Sequence, residues 1–133
     1  MAKKSPERLG PEAVIEAFRV AIHADWETRR AIYRANVSPE GRNVVSLDDL
    51  RIRTEYQRMG FGTRVLALLI DLCDLNALAI KVVPAPPESD PHCTVSVTRE
   101  NLIRWYEDAC FRRSTKYVWI RKPRSLIKVK ARS

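Results

Sequence analysis

Glycine is scarce in this chain, with only four among 133 residues, so two of them close together point to a local backbone requirement. Cysteine is scarce as well. Cys73, Cys93 and Cys110 are odd in number and widely spaced, which argues against a disulfide framework and leaves no CxxC pair for zinc. Free thiols in a reducing compartment are the expectation. His92-Cys93 sits in a proline-rich stretch without partner ligands, so no metal is expected there. Long apolar runs are missing too. The run Val65 to Ile70 stops at Asp71, far short of the roughly 18–20 residues that span a bilayer. Nothing apolar follows the charged Met1–Pro6 to make a secretory signal. A cytoplasmic protein without a membrane partner is the expectation.

Acid is absent from the C-terminal end. Residues 121–133 hold six cations and no carboxylate, residues 99–133 hold 11 Lys/Arg against 3 Asp/Glu, and residues 1–98 hold 13 of each. The whole net charge of +8 therefore sits in the last 35 residues. Such a run is either a solvated tail or an attractor for phosphate, nucleic acid or an acidic partner. No aromatic interleaves with the cations from Arg121 onward, which favours the solvated reading.

What is present reads as one domain. Residues 1–10 form a basic arm, 11–122 the folded unit and 123–133 a basic tail. Pro11 suits a first helical position, and Val14, Ile15, Phe18, Ile22 and Trp26 recur at helical spacing. That predicts a helix running on through Ile32-Tyr33, or two helices broken near Asp25. Residues 37–43 read as a turn. Val44 to Arg53 reads as a strand, with Asp48-Asp49 interrupting the alternation as a bulge would. Thr63 to Leu75 reads as an apolar helix whose exposed charges are Arg64, Asp71 and Asp74. Leu78 to Val83 reads as a buried strand. After a proline-rich loop over 84–97, with a short strand from Thr94, Thr98 caps another helix. Tyr117 to Ile120 reads as a last strand. Strand, turn, helix and strand in that order make a βαβ crossover with parallel strands, an α+β fold with an α/β-type core.

The turn of that crossover, Gln57-Arg58-Met59-Gly60-Phe61-Gly62, holds two of the four glycines. Backbone amides opening a helix make an anion site, reinforced by the helix dipole. Neither a dinucleotide fingerprint nor a Walker loop is present, because no third glycine or Gly-Lys-Ser/Thr follows at the required spacing. The turn alone implies a phosphate or pyrophosphate site, or an ordinary tight strand-to-helix connection.

In two blocks the chain resembles the GCN5-related N-acetyltransferases (GNAT superfamily). Gln57 to Gly62 resembles that family's Arg/Gln-x-x-Gly-x-Gly/Ala loop, and Leu50 to Tyr56 resembles the strand end that leads into it. Asn101-Leu102-Ile103-Arg104-Trp105-Tyr106-Glu107-Asp108-Ala109-Cys110-Phe111 resembles its Asn-x-x-Ala-x-x-Phe-Tyr-Glu-x-x-Gly-Phe block. The resemblance covers about residues 45–120 and implies a GNAT-like mixed sheet flanked by helices, with acetyl-CoA as acyl donor. It implies that Gln57, Arg58, Met59, Gly60, Phe61, Gly62 and Thr63 hold the pyrophosphate. Leu50 and Ile52 would pair with the pantetheine arm, and Asn101 would hydrogen-bond that arm or nearby backbone. Tyr106 would be the acid that protonates the departing thiolate, a task that suits a phenol protonated at neutral pH. Asp48, with Asp49 and His92 as alternatives, would serve as base for the acceptor amine.

The chain departs from that pattern at Cys110, where the family has glycine. If the position needs a positive φ, the turn has to be rebuilt. The region before residue 44 looks shortened to a helical stretch, where a full member would have a strand, two helices and a β-hairpin. In this the chain resembles compact phage-encoded acetyltransferases. A trimmed sheet leaves edges exposed, so a homodimer is a further expectation. The acceptor implied is a primary amine, on a protein lysine or N-terminus, since so short a chain builds no elaborate small-molecule pocket. The alternative is a non-catalytic protein of the same fold whose basic C-terminal region binds an acidic protein or nucleic acid.

Overall fold

A computed structural model of the chain describes residues 8–86 and 97–124. The expectations placed on His92, Cys93, the strand from Thr94 and most of the tail lie outside the described residues. The elements in chain order are α1 (Pro11–Ala24), α2 (Trp26–Ala31), β1 (Ile32–Pro39), β2 (Val44–Ile52), α3 (Phe61–Leu75), β3 (Ala79–Val82), α4 (Arg99–Asp108), β4 (Arg112–Arg113) and β5 (Trp119–Arg121). A single 3-10 turn, Thr54–Tyr56, leads from β2 toward the glycine turn. Among the described residues, no helix is long and apolar enough to cross a membrane.

The five strands form one sheet in the order β1-β2-β3-β5-β4. β2 and β3 run parallel across the α3 crossover, while the other three pairs are antiparallel. This is the mixed α+β, GNAT-like architecture that the resemblance implies. α1 buries Val14, Ile15, Phe18 and Ile22, and α3 buries Val65, Leu66, Leu69 and Cys73. These pack with Val45, Leu47, Ile80, Val82, Phe111 and Trp119 into one core. Each such side chain contributes about 1.5–3 kcal/mol on leaving water.

The break at Asp25 falls where expected. Asp25 is extended (φ −92°, ψ 105°) between α1 and α2, and its carboxylate accepts the Thr28 hydroxyl at 2.7 Å. The helix does not run on through Ile32 and Tyr33, which begin β1 instead. Ile32 continues the helical spacing from Thr28, so the local pattern is ambiguous. Seven residue pairings with β2 decide it, and those are non-local. The expected turn over 37–43 correspondingly shrinks to Glu40–Asn43, closed by Glu40 N–H donating to the Val44 carbonyl at 2.8 Å. The described residues before 44 thus hold two helices and the first arm of a β-hairpin, more than the helical stretch expected.

Two charge assignments also change. Asp74 is not a solvated charge, and Arg121 is not the start of a solvated tail. Arg121 is buried, and its guanidinium donates to Asp74 at 2.6 and 3.1 Å and to the Ala109 carbonyl at 2.9 Å. A buried arginine is sustained by such a fork on a carboxylate. The last strand runs Trp119–Arg121 rather than from Tyr117, which is 59% exposed on the β4–β5 turn.

Candidate functional site

β2 and β3 pair only from Val44↔Ala79 to Leu47↔Val82. β2 continues for five more residues alongside β1, but β3 ends. Among the described residues, no strand pairs with Asp48–Ile52 on the side away from β1. The register against β1 changes between Val37↔Leu47 and Asn36↔Asp49, which leaves Asp48 as the extra residue of a β-bulge. The bulge sits where the sequence interruption indicated.

The opening so made is a cavity of about 380 Å³. Its floor is Leu47 to Ile52, and Asn101, Leu102, Trp105 and Tyr106 of α4 form the opposite wall. Gln57, Arg58 and Gly62 line its end toward the glycine turn. A second hollow of about 230 Å³ continues over Arg58, Gly60, Phe61, Gly62 and Thr63. Ile52, Gln57, Arg58, Gly62 and Trp105 line both, so the two make one groove. Of the residues singled out from sequence, Asp48, Leu50, Ile52, Gln57, Arg58, Gly60, Phe61, Gly62, Thr63, Asn101 and Tyr106 all border it. Met59 does not line either hollow and is 64% exposed.

The turn has a backbone shaped for close approach. Arg58 (φ 66°) and Gly60 (φ 85°) are both left-handed, and Gly60 caps α3 with no side-chain hydrogen bond to the helix. The first amide of α3 with an intrahelical-type partner is Arg64, donating to the Gly60 carbonyl at 3.0 Å. The amides before it open the helix, where partial positive charge accumulates. Gln57 is turned inward, and its side-chain amide donates to the Ile52 carbonyl at 2.9 Å, tying the end of β2 to the turn. Gly62 has an ordinary φ, and a Cβ there would meet Trp105 Cζ2 at 3.8 Å and Ile52 Cγ1 at 4.0 Å. Packing therefore does not require glycine at 62.

Tyr106 is 7% exposed and packs on Phe111 and Trp105 with ring centroids 5.1 and 5.0 Å apart. Burial, with a smaller contribution from the Asp49 charge, pushes its phenol up to about 12. Asp49 is bound by Arg51 Nε at 3.2 Å to each oxygen and lies 3.6 Å from Arg34. Asp48 accepts the Ser38 hydroxyl at 2.6 Å and the Ser46 hydroxyl at 2.7 Å, one on each oxygen. Asn101 is exposed in the first turn of α4, its backbone amide held by the Thr98 hydroxyl at 3.1 Å.

Sequence reasoning gave Trp105 no role of its own. Its indole N–H donates to the Thr63 hydroxyl at 3.1 Å, bridging α4 to the start of α3 across the groove. The spacing of Thr63 and Trp105 in sequence carries no signal for that contact. Cys110 is left-handed (φ 75°), as glycine would be. Cys110 N–H donates to the Glu107 carbonyl at 3.0 Å and Phe111 N–H to the Tyr106 carbonyl at 3.1 Å, a Schellman ending. The turn after Tyr106 is kept, not rebuilt.

No protein-family model and no curated protein sequence matches the chain. Among solved structures it is similar to Ard1 from Thermoplasma volcanium, with a TM-score of 0.50 at 12% identity, covering 90% of this chain and 97% of that one. At that identity the likeness is one of fold, and it spans nearly the whole of both chains.

Proposed function

We propose that the chain is an acetyl-CoA-dependent N-acetyltransferase whose catalytic unit spans residues 11–122. One observation carries the reading: the sheet opens beside β2, and a single groove runs from the glycine turn to the buried Tyr106. The residues present fit acetyl-CoA. Amides from Arg58 to Thr63 suit a pyrophosphate, since the left-handed Arg58 and Gly60 turn the backbone and α3 begins uncapped by a side chain. The backbone edge of Asp48–Leu50, which no strand covers on the side away from β1 among the described residues, suits an extended amide-bearing arm, as an added strand would pair. Asn101 borders the same stretch. The bound group supplies an acyl thioester.

Tyr106 holds its proton at Oη through the whole physiological range, because its environment disfavours phenolate. It can therefore give that proton to a leaving sulfur. The acceptor amine has to lose a proton first, and the Asp48–Asp49 pair supplies the carboxylates that share the cavity with Tyr106. Asp48 keeps its position through its two serine donors, which makes it the fixed carboxylate of the pair. A primary amine on a protein lysine or N-terminus is the acceptor class, because a cavity of about 380 Å³ leaves little room to enclose a small substrate beside the acyl donor.

Calorimetry with acetyl-CoA tests the reading. Binding by the wild type is expected, and its absence would sink the proposal. Tyr106→Phe should then slow acetylation of a lysine-rich peptide pool with little change in acetyl-CoA affinity. Equal turnover would remove Tyr106 from the mechanism.

A further inference from the structure

The far edge of the sheet carries a feature that acyl transfer does not use. Residues 111–124 hold six cations and no acid. Arg121 is neutralised by Asp74, but Arg112, Arg113, Lys116, Lys122 and Arg124 are all exposed. Four of them, Arg112, Arg113, Lys122 and Arg124, line one hollow of about 600 Å³ beside β4 and β5, together with Ser114. Among the described residues, none of the five has a carboxylate within ion-pair distance.

Their hydrogen bonds orient without neutralising them. Arg112 Nη1 donates to the Phe111 carbonyl at 2.9 Å and the Glu107 carbonyl at 3.3 Å. Arg113 Nε donates to the Thr115 carbonyl at 3.2 Å, and Arg124 Nη1 to Cys110 Sγ at 3.1 Å. Four like charges around one hollow repel each other, so the arrangement favours a polyanion that releases its own counterions on binding. On the same hairpin, Tyr117 is 59% exposed, with Lys116 Nζ 5.4 Å from its ring. A phenol ring in solvent beside cations has a flat face for a base to stack on.

We propose that the β4–β5 hairpin binds single-stranded nucleic acid, with phosphates in the cationic hollow and a base on Tyr117. An acidic polypeptide would match the charge but leave the aromatic face unused. A duplex would keep its bases stacked and out of reach of Tyr117. None of the hollow's residues lines the acyl-transfer groove, so the two sites are separable by mutation.

Anisotropy of a fluorescein-labelled oligothymidylate of about 20 nucleotides, titrated with the full chain at about 50–200 mM salt, tests this. Neutralising four phosphates on a single strand gives a log–log salt slope of about −3, at about 0.7 for each. Arg113→Gln with Lys122→Gln should flatten the slope by about 1.4. Tyr117→Ala should weaken binding roughly tenfold and leave the slope alone. Acetyl-CoA affinity should be the same in all variants, which also shows that they fold. Three results would overturn the proposal: no binding at the lowest salt, a slope unchanged in the double variant, or polyglutamate displacing the oligonucleotide equally well with and without Tyr117.

Discussion

Replacing Gly62 with glutamate should stabilise the protein and abolish acetyl-CoA binding at once. Gly62 is the second residue of α3 and has no positive φ, so a side chain there meets no backbone strain. Its Cβ would touch Trp105 and Ile52 at 3.8 and 4.0 Å, ordinary contact distances. Removing a helical glycine contributes about 0.5–1 kcal/mol. An acid in the first turn adds about 0.3–1 kcal/mol through the dipole. Together they amount to about 1–2 kcal/mol, or a rise of a few degrees in Tm for a domain of this size. The carboxylate, however, enters the groove at the point shared by its two parts, where the proposed function puts the pyrophosphate. Thermal unfolding and calorimetry read the two effects separately. Gly60→Glu is the poorer probe, because φ 85° would add backbone strain to any loss of binding. A Gly62→Glu protein that is as stable as expected and still binds acetyl-CoA would refute the placement of the pyrophosphate at this turn.

Asp49→Asn should lower the Tyr106 pKa from about 12 but leave it above its ordinary value, because burial, the larger cause, stays. Tyrosinate absorbance, read against Tyr106→Phe, measures it, and an unmoved titration would separate the two groups. The raised phenol also gives stability a pH dependence of fixed sign: its contribution is complete below about pH 10, the unfolded value, and is lost as pH climbs toward about 12. Cys110→Gly should stabilise by about 1 kcal/mol in urea unfolding, since glycine takes φ 75° without the Cβ clash. Asp74→Ala should destabilise by about 3–5 kcal/mol, because it strands the buried Arg121 charge; a loss below about 1 kcal/mol would mean that Arg121 finds water.

The parts of the fold that local chemistry determines were legible in the sequence. Pro11, the break at Asp25, the Thr98 cap and the irregularity at Asp48 each follow from one or two neighbouring residues, and each stands where expected. β1 was not legible, because Ile32 fits a helix and a strand equally well until β2 is beside it. Arg121 and Asp74 are 47 residues apart, and nothing near either marks it as buried. The same division runs through the site. The glycine turn and α4 could be read as blocks, whereas the separation of β2 from β3 and the reach of Trp105 to Thr63 arise only from packing. Cys110 lies between the two cases: its position raised the question of a positive φ, and only the structure shows that a non-glycine takes it without the turn being rebuilt.

The placement of Tyr106 depends on tethers on either side of it, one toward the middle of α4 and one at its C-terminal end. Toward its middle, Trp105 is bonded to Thr63 at the start of α3. At its end, the Ala109 carbonyl takes Arg121 Nε, Glu107 accepts the Trp119 indole at 3.3 Å, and Phe111 packs on the Tyr106 ring. Arg121 is itself clamped to Asp74 on α3, and Trp119 and Arg121 belong to β5, which pairs with β3. Both tethers therefore return to α3, whose first turn is the proposed anion site, or to the strands beside it. A helix of ten residues would hold one side chain loosely if only its own packing fixed it. Here the distance between the glycine-turn end of the groove and the phenol is set by one element, α3, gripped at its beginning and near its end. The buried Arg121–Asp74 pair is thus the link that joins the end of α3 to β5 and, through the Ala109 carbonyl, to the end of α4.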